Sequence, residues 1–148
     1  VAAAVDVLSS VARALHRAHR TPSPEGELCI LHCDLKPDNI FVVNGGTIVT
    51  PHTGHGCLAG VTRAAVMTIA RDLGFPVLEQ NLVRTDLYTA DEVFFTGTAA
   101  EITPIREVDD RTVGAGHRGP VTKGLQDAFF AATKGDDPTY VDWLTYVD

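Results

Sequence analysis

The chain is predicted to fold as an α/β or α+β domain, and three observations carry that expectation. Its 148 residues are 45% hydrophobic and 21% charged, which suits one globular unit able to bury its own core. Short runs of β-branched and aromatic residues, IFVV, TIVT and EVFFTG, alternate with stretches whose apolar residues recur at helical steps. Glycine and proline fall between these runs rather than inside them.

The elements follow in order. Residues 1–20 hold no glycine or proline, and Ala4, Leu8, Val11, Ala12, Leu15 and Ala18 recur every three or four positions, an amphipathic helix. TPSPEGE (21–27) is a loop. Gly45-Gly46 joins IFVV to TIVT as a hairpin. PHTGHGCLAG (51–60) is too rich in glycine for regular structure and leads into a helix over 61–74, with Val61, Ala65, Ile69 and Leu73 marking one face and Gly74 at its stop. Pro76 to Val83 is expected to be a strand, and Thr85 to cap a short helix running to Ala90. EVFFTG (92–97) is a buried strand, and ITPIREVDDRTVG gives two strands about a turn at Asp109 and Asp110. Pro120 opens the last long helix and Gly135 closes it. The final YVDWLTYV is an aromatic packing cluster.

Charge and composition remove several classes of function. With 12 basic against 19 acidic residues the net charge is −7, and no basic run offers a nucleic-acid surface. No apolar stretch approaches the roughly 18 residues a membrane span needs. The start lacks the positive region of a signal peptide, and Cys29, Cys33 and Cys57 make an odd set, so reduced thiols and a cytoplasmic setting are expected. Those cysteines and His32, His52 and His55 match structural zinc spacing only loosely, and no metal is expected.

Two motif sets carry chemistry. ALHRAH followed, after an insertion, by ILHCDLKPDNIFV resembles the catalytic-loop segment of a protein kinase over about residues 1–43. That resemblance implies Asp34 as the residue accepting the substrate proton, Lys36 beside the γ-phosphate and Asn39 on magnesium. Cys33 stands where arginine is usual, and the chain has no glycine-rich loop, no Asp-Phe-Gly and no Ala-Pro-Glu. Phosphoryl transfer needs those parts together, so the loop by itself is expected to be inert.

From about Asp38 to Asp148 the blocks GTIVTP, CLAGVTR, ARDLG, LYTADEVFFTGTAAEITPIREVD and GPVTKGLQDAFF resemble the C-terminal part of the branched-chain amino-acid aminotransferases, pyridoxal 5'-phosphate enzymes of fold-type IV. The expected division is therefore 1–37, kinase-like, and 38–148, a partial class IV aminotransferase domain. The blocks also make physical sense. Gly60-Val61-Thr62 opens a helix after a glycine-rich loop, where backbone N–H groups and the Thr62 hydroxyl suit a phosphate. Gly97-Thr98-Ala99-Ala100 follows a buried strand with small residues, so a tight turn can offer amides and a hydroxyl to an anion. The resemblance implies that Thr98 helps bind the cofactor phosphate, that Thr98, Ala99 and Ala100 receive the substrate carboxylate, and that Leu58 packs on the pyridine ring. It also puts Asp34 where the family has a glutamate on the ring nitrogen, and Asp38-Asn39-Ile40-Phe41 on Glu-Asn-Leu-Phe. Aspartate is one methylene shorter. Ala59 stands where proline is usual.

The family's reaction is amino transfer between leucine, isoleucine or valine and 2-oxoglutarate, by homodimers or larger assemblies. It needs a Schiff-base lysine. Residues 1–33 contain none, and Lys123 and Lys134 look like solvated charges on the last helix, so no catalytic residue is assigned and these 148 residues alone are expected to have no turnover. A serine/threonine kinase fragment and a non-catalytic interaction module are the alternatives. For Thr62 and Thr98 the competing explanation is capping and packing alone.

Overall fold

A computed structural model describes residues 39–52 and 60–145. The helix expected over residues 1–20, the kinase-like Asp34 and Lys36, and the proposed ring contact Leu58 lie outside them.

The framework is a five-stranded sheet in the order β3-β2-β1-β4-β5, where β1 is Ile40–Asn44, β2 Thr47–Thr50, β3 Val77–Glu79, β4 Glu92–Gly97 and β5 Glu101–Ile105. The Gly45-Gly46 turn has φ of 54° and 77°, conformations open to glycine, and it sets the β1–β2 register at Val42 opposite Val49. β4 runs antiparallel to β1 with Phe41 opposite Phe94, and these two rings stack at 5.0 Å between centroids. β3 joins β2 in parallel, with the helix α1 (Val61–Asp72) lying between them in sequence.

Alternation along the strands divides the core into two layers. Phe41, Val43, Ile48, Phe94 and Ile102 face α1 and α3 (Pro120–Lys134), meeting Val66, Ile69, Leu125 and Phe129. Ile40, Val42, Val49 and Val93 face the other way, onto Leu82, Leu87, Ala90, Val108 and Val113. That second layer is closed by the short helix α2 (Arg84–Tyr88) and by a small hairpin of β6 (Glu107–Val108) and β7 (Arg111–Thr112). Asp109 ties the two together, accepting from Arg84 Nη2 at 2.6 Å and from the Tyr88 hydroxyl at 2.6 Å. The hydrogen bond to Asp109 is the main reason the Tyr88 phenol is held above its usual titration range.

Several expectations are corrected. The strand expected over 76–83 contracts to Val77–Glu79, the residues in register with Ile48, Val49 and Thr50 of β2, with flanking bonds from Ile48 N to Pro76 O and from Gln80 N to Thr50 O. The short helix is capped not by Thr85 but by Asp86, whose Oδ2 accepts from the Val83 N–H at 2.7 Å, and the helix ends at Tyr88 rather than Ala90. The buried stripe of α1 is Arg63, Val66, Met67, Ile69 and Ala70. Val61 is 86% exposed and Leu73 49%, so only Ile69 of the expected face points fully inward. In the ITPIREVDDRTVG stretch the expected turn stands at Asp109 and Asp110, at φ 51° and 60° between β6 and β7, and the edge strand β5 of the main sheet precedes it. In the last stretch a 3₁₀ helix, Pro138–Trp143, buries Tyr140 against the core, its hydroxyl donating to Asp72 Oδ2 at 2.8 Å, while Trp143 stays half exposed. No described helix is long and apolar enough to cross a membrane, and no described cluster could hold a metal ion.

Candidate functional site

Helix starts expose amides that no turn of the helix can satisfy, so each needs an acceptor. Three of the four described helices have a carboxylate at their start. Asp86 serves α2, Asp137 accepts from Thr139 N in the 3₁₀ helix at 2.9 Å, and Glu92 reaches across from β4 to α3, its Oε1 3.0 Å from Val121 N and its Oε2 2.8 Å from Thr122 N. Gly119 makes room for Glu92, since a Cβ there would fall 2.1 Å from its Cδ. The start of α1 differs. Gly60 has no side chain to cap it and the first turn holds no acid. Val61 projects outward, Thr62 is half-buried, and no side-chain bond engages either amide among the described residues.

The sheet fixes where that open start lies. β1 begins, and β2 and β4 finish, at one end, because Ile40 pairs with Phe95 and Val42 with Val49. Arg63, in the first turn of α1, is 95% buried and donates from Nη2 to Pro51 O at 2.8 Å and to Glu79 Oε2 at 3.0 Å, holding the helix start against the exits of β2 and β3. A Cβ on Gly60 would lie 3.7 Å from Asn39 Oδ1, so the residue that opens β1 stands beside the residue that opens α1. Asn39, a candidate magnesium ligand under the kinase resemblance, thus stands beside the start of α1.

The turn between β4 and β5 closes the same end. Gly97 pairs with Glu101, leaving Thr98, Ala99 and Ala100 as the turn. Gly97 and Ala100 are half-buried, and Thr98 and Ala99 exposed. The Thr103 hydroxyl donates to Ala100 O at 2.8 Å, which occupies that carbonyl, and no bond from the turn's amides to another described loop competes with a ligand. Just inside the turn, Thr96 is fully buried and its hydroxyl has no partner among the described residues. By strand alternation it faces the same side as Phe94, toward α1 and α3. Gly60, Val61, Thr62 and the 97–100 turn, singled out in the sequence, therefore share one end of the sheet; Asp34 and Leu58 fall outside the described residues.

Amides that no described residue engages, at a helix start and at a small-residue turn on the same end of the sheet, suit a phosphate and a carboxylate. The amino-transferase class IV profile matches residues 35–108. The chain belongs to the amino-transferase class IV family. This class IV domain is 49% identical over 110 residues to a branched-chain-amino-acid aminotransferase of Pseudomonas aeruginosa, covering 74% of the chain and 36% of that relative. The Escherichia coli K12 protein of the same name is 48% identical over 111 residues, again 36% of its length. The chain thus spans little more than a third of the curated relatives it matches. Its mixed α/β fold is that of solved branched-chain aminotransferases: the Thermobaculum terrenum enzyme in its PLP-bound holo form superposes with a TM-score of 0.70 at 40% identity, covering 73% of this chain and 36% of that one. The Thermoproteus uzoniensis enzyme with norvaline gives 0.73 at 38% identity, covering 95% and 46%. None of these comparisons points to a kinase.

Sequence reasoning missed Arg63 and Glu92. A charged side chain inside an otherwise apolar helical stripe and an acid at the head of a buried strand were the available signals, since buried charges must be paired.

Proposed function

We propose that residues from about 38 onward form the cofactor-binding part of a branched-chain amino-acid aminotransferase, which exchanges the amino group between leucine, isoleucine or valine and 2-oxoglutarate with pyridoxal 5'-phosphate. A family match starting at residue 35 supports that boundary. The observation that carries the reading is that α1 is the one described helix whose start no described carboxylate caps, and that it opens at the same end of the sheet as the Thr98–Ala100 turn.

The donor set fits the coenzyme. The Val61 and Thr62 amides and the Thr62 hydroxyl suit its phosphate dianion, with Thr98 adding a second hydroxyl from the facing turn. The turn amides suit a substrate carboxylate, and the Thr103 bond keeps the Ala100 carbonyl from opposing it. Bound there, the coenzyme supplies the electron sink that amino transfer requires. Leu58 and Asp34 are the candidates for the ring face and the ring nitrogen. Lys123 and Lys134 stand on the exposed side of α3, Lys123 paired with Asp127, and neither is placed to take part. The exposed Leu73, Leu78 and Trp143 offer apolar surface for the homo-oligomeric assembly proposed for the intact cytoplasmic enzyme.

The test is titration of this chain with pyridoxal 5'-phosphate, followed by coenzyme absorbance and calorimetry. Each threonine hydroxyl bonded to a dianion contributes about 1.5 kcal/mol or more. Thr62→Val with Thr98→Val is therefore expected to weaken binding about 100-fold, and a change under threefold would refute the site.

A further inference from the structure

We infer that Gln126 is a positioning residue for the anion-receiving turn, holding its outgoing strand in place through Ile102; this rests on the function proposed above.

The turn has a weak point on its exit side. Glu101 closes it at φ 52°, a left-handed conformation that costs a non-glycine residue about 1 kcal/mol or more and survives only where neighbours impose it. β5, the strand it enters, lies at the edge of the sheet and has β4 as its sole strand partner among the described residues. Two side chains supply what the missing strand does not. Thr103 holds the Ala100 carbonyl, and Gln126, from the second turn of α3, donates from Nε2 to the Ile102 carbonyl at 2.7 Å. Ile102 sits opposite Thr96, one step below the pair that closes the turn.

Gln126 is 8% exposed, and its amide is oriented by chemistry rather than by chance. Arg118 Nη1 donates to Gln126 Oε1 at 2.8 Å. A guanidinium can only donate, so the oxygen must face Arg118, which turns the NH2 toward the carbonyl of Ile102. The relay from Arg118 through Gln126 to Ile102 fixes the exit strand, and with it the direction of the Thr98, Ala99 and Ala100 amides. The start of α1 does not depend on it, being held by Arg63. The two halves of the anion site therefore have separate anchors.

Gln126→Met keeps volume and removes the donor. By NMR, the 15N order parameters of Thr98, Ala99 and Ala100 are expected to fall from the rigid range to below about 0.6 while those of Val61 and Thr62 are unchanged. With pyridoxal 5'-phosphate, Thr98→Val is expected to cost less than twofold in the Gln126→Met background, while Thr62→Val costs the same factor in both backgrounds. Coupling confined to Thr98 is what mere destabilisation of α3 would not produce. Additive losses at Thr98, unchanged order in the turn, or an equal fall at Val61 and Thr62 would each overturn the inference. If no protein binds the coenzyme, the proposed function fails but the comparison of order parameters still decides this point. Should Gln126→Met not fold, Arg118→Met, at an exposed position, is expected to give the same turn-selective loss of order, and its absence would count against the relay.

Discussion

Replacing Glu92 by glutamine isolates the contribution of a carboxylate to the seating of α3. In the native chain both oxygens accept from backbone N–H groups, at 3.0 and 2.8 Å, and the residue is 8% exposed, so water cannot substitute. Glu92→Gln keeps the shape but turns one oxygen into an NH2 that faces a donor. Losing one charge-assisted bond costs about 1.5–3 kcal/mol. Losing the negative charge at a helix start costs about 1 kcal/mol more. A total of about 3 kcal/mol is a large share of the roughly 5–15 kcal/mol that holds an ordinary domain together. With a urea slope of about 1.5 kcal/mol/M, the midpoint is expected to fall by about 2 M. Equilibrium unfolding followed by far-ultraviolet circular dichroism reads it directly. A fall below about 0.3 M at unchanged slope would mean that the two bonds are replaceable and that the account of α3 is wrong.

Other perturbations separate surface from core. Lys123→Gln removes an exposed pair with Asp127 on the same helix and is expected to change stability by less than about 0.5 kcal/mol in the same assay. Gly114→Ala places a Cβ 1.9 Å from the Asp91 carbonyl oxygen at φ 50°, so a loss of about 3 kcal/mol is expected in urea unfolding. Phe94→Ala empties one side of the stacked pair at the centre of the sheet and is expected to cost about 3–5 kcal/mol by thermal or urea unfolding. Burial first, then the bond to Asp72, pushes the Tyr140 phenol from 10.0 up to about 12. Folding thus favours its neutral form, so its contribution is complete below about pH 10 and disappears as pH rises through about 12. Urea midpoints measured across that interval are expected to fall less steeply for Tyr140→Phe than for the native chain.

Much of the fold could be read directly from residue pattern. Gly45-Gly46 between two β-branched runs specified the first hairpin, and Pro120 with Gly135 bracketed α3 to the residue. These signals are local, since a glycine at positive φ or a proline at a helix start acts on its own backbone. What escaped was set by tertiary contacts. The inward face of α1 was misjudged because Arg63, a residue usually read as solvated, is buried by its bonds to Pro51 and Glu79. β3 is short because its pairing with β2 ends at Gln80, whose N–H makes the last bond to Thr50, a fact of sheet geometry rather than composition. For the site, the threonines and small residues were visible, whereas the cap that Glu92 supplies to α3 and the hold of Gln126 on Ile102 span 30 and 24 residues and leave no short-range mark.

Arg63 gives the site a mechanical character. By gripping the exits of two strands at once, it makes the corner where α1 departs a rigid seat before any ligand arrives. Under the proposed function, a guest docking there would meet a helix corner that Arg63 already holds, so little of the ordering cost of association would fall on that corner.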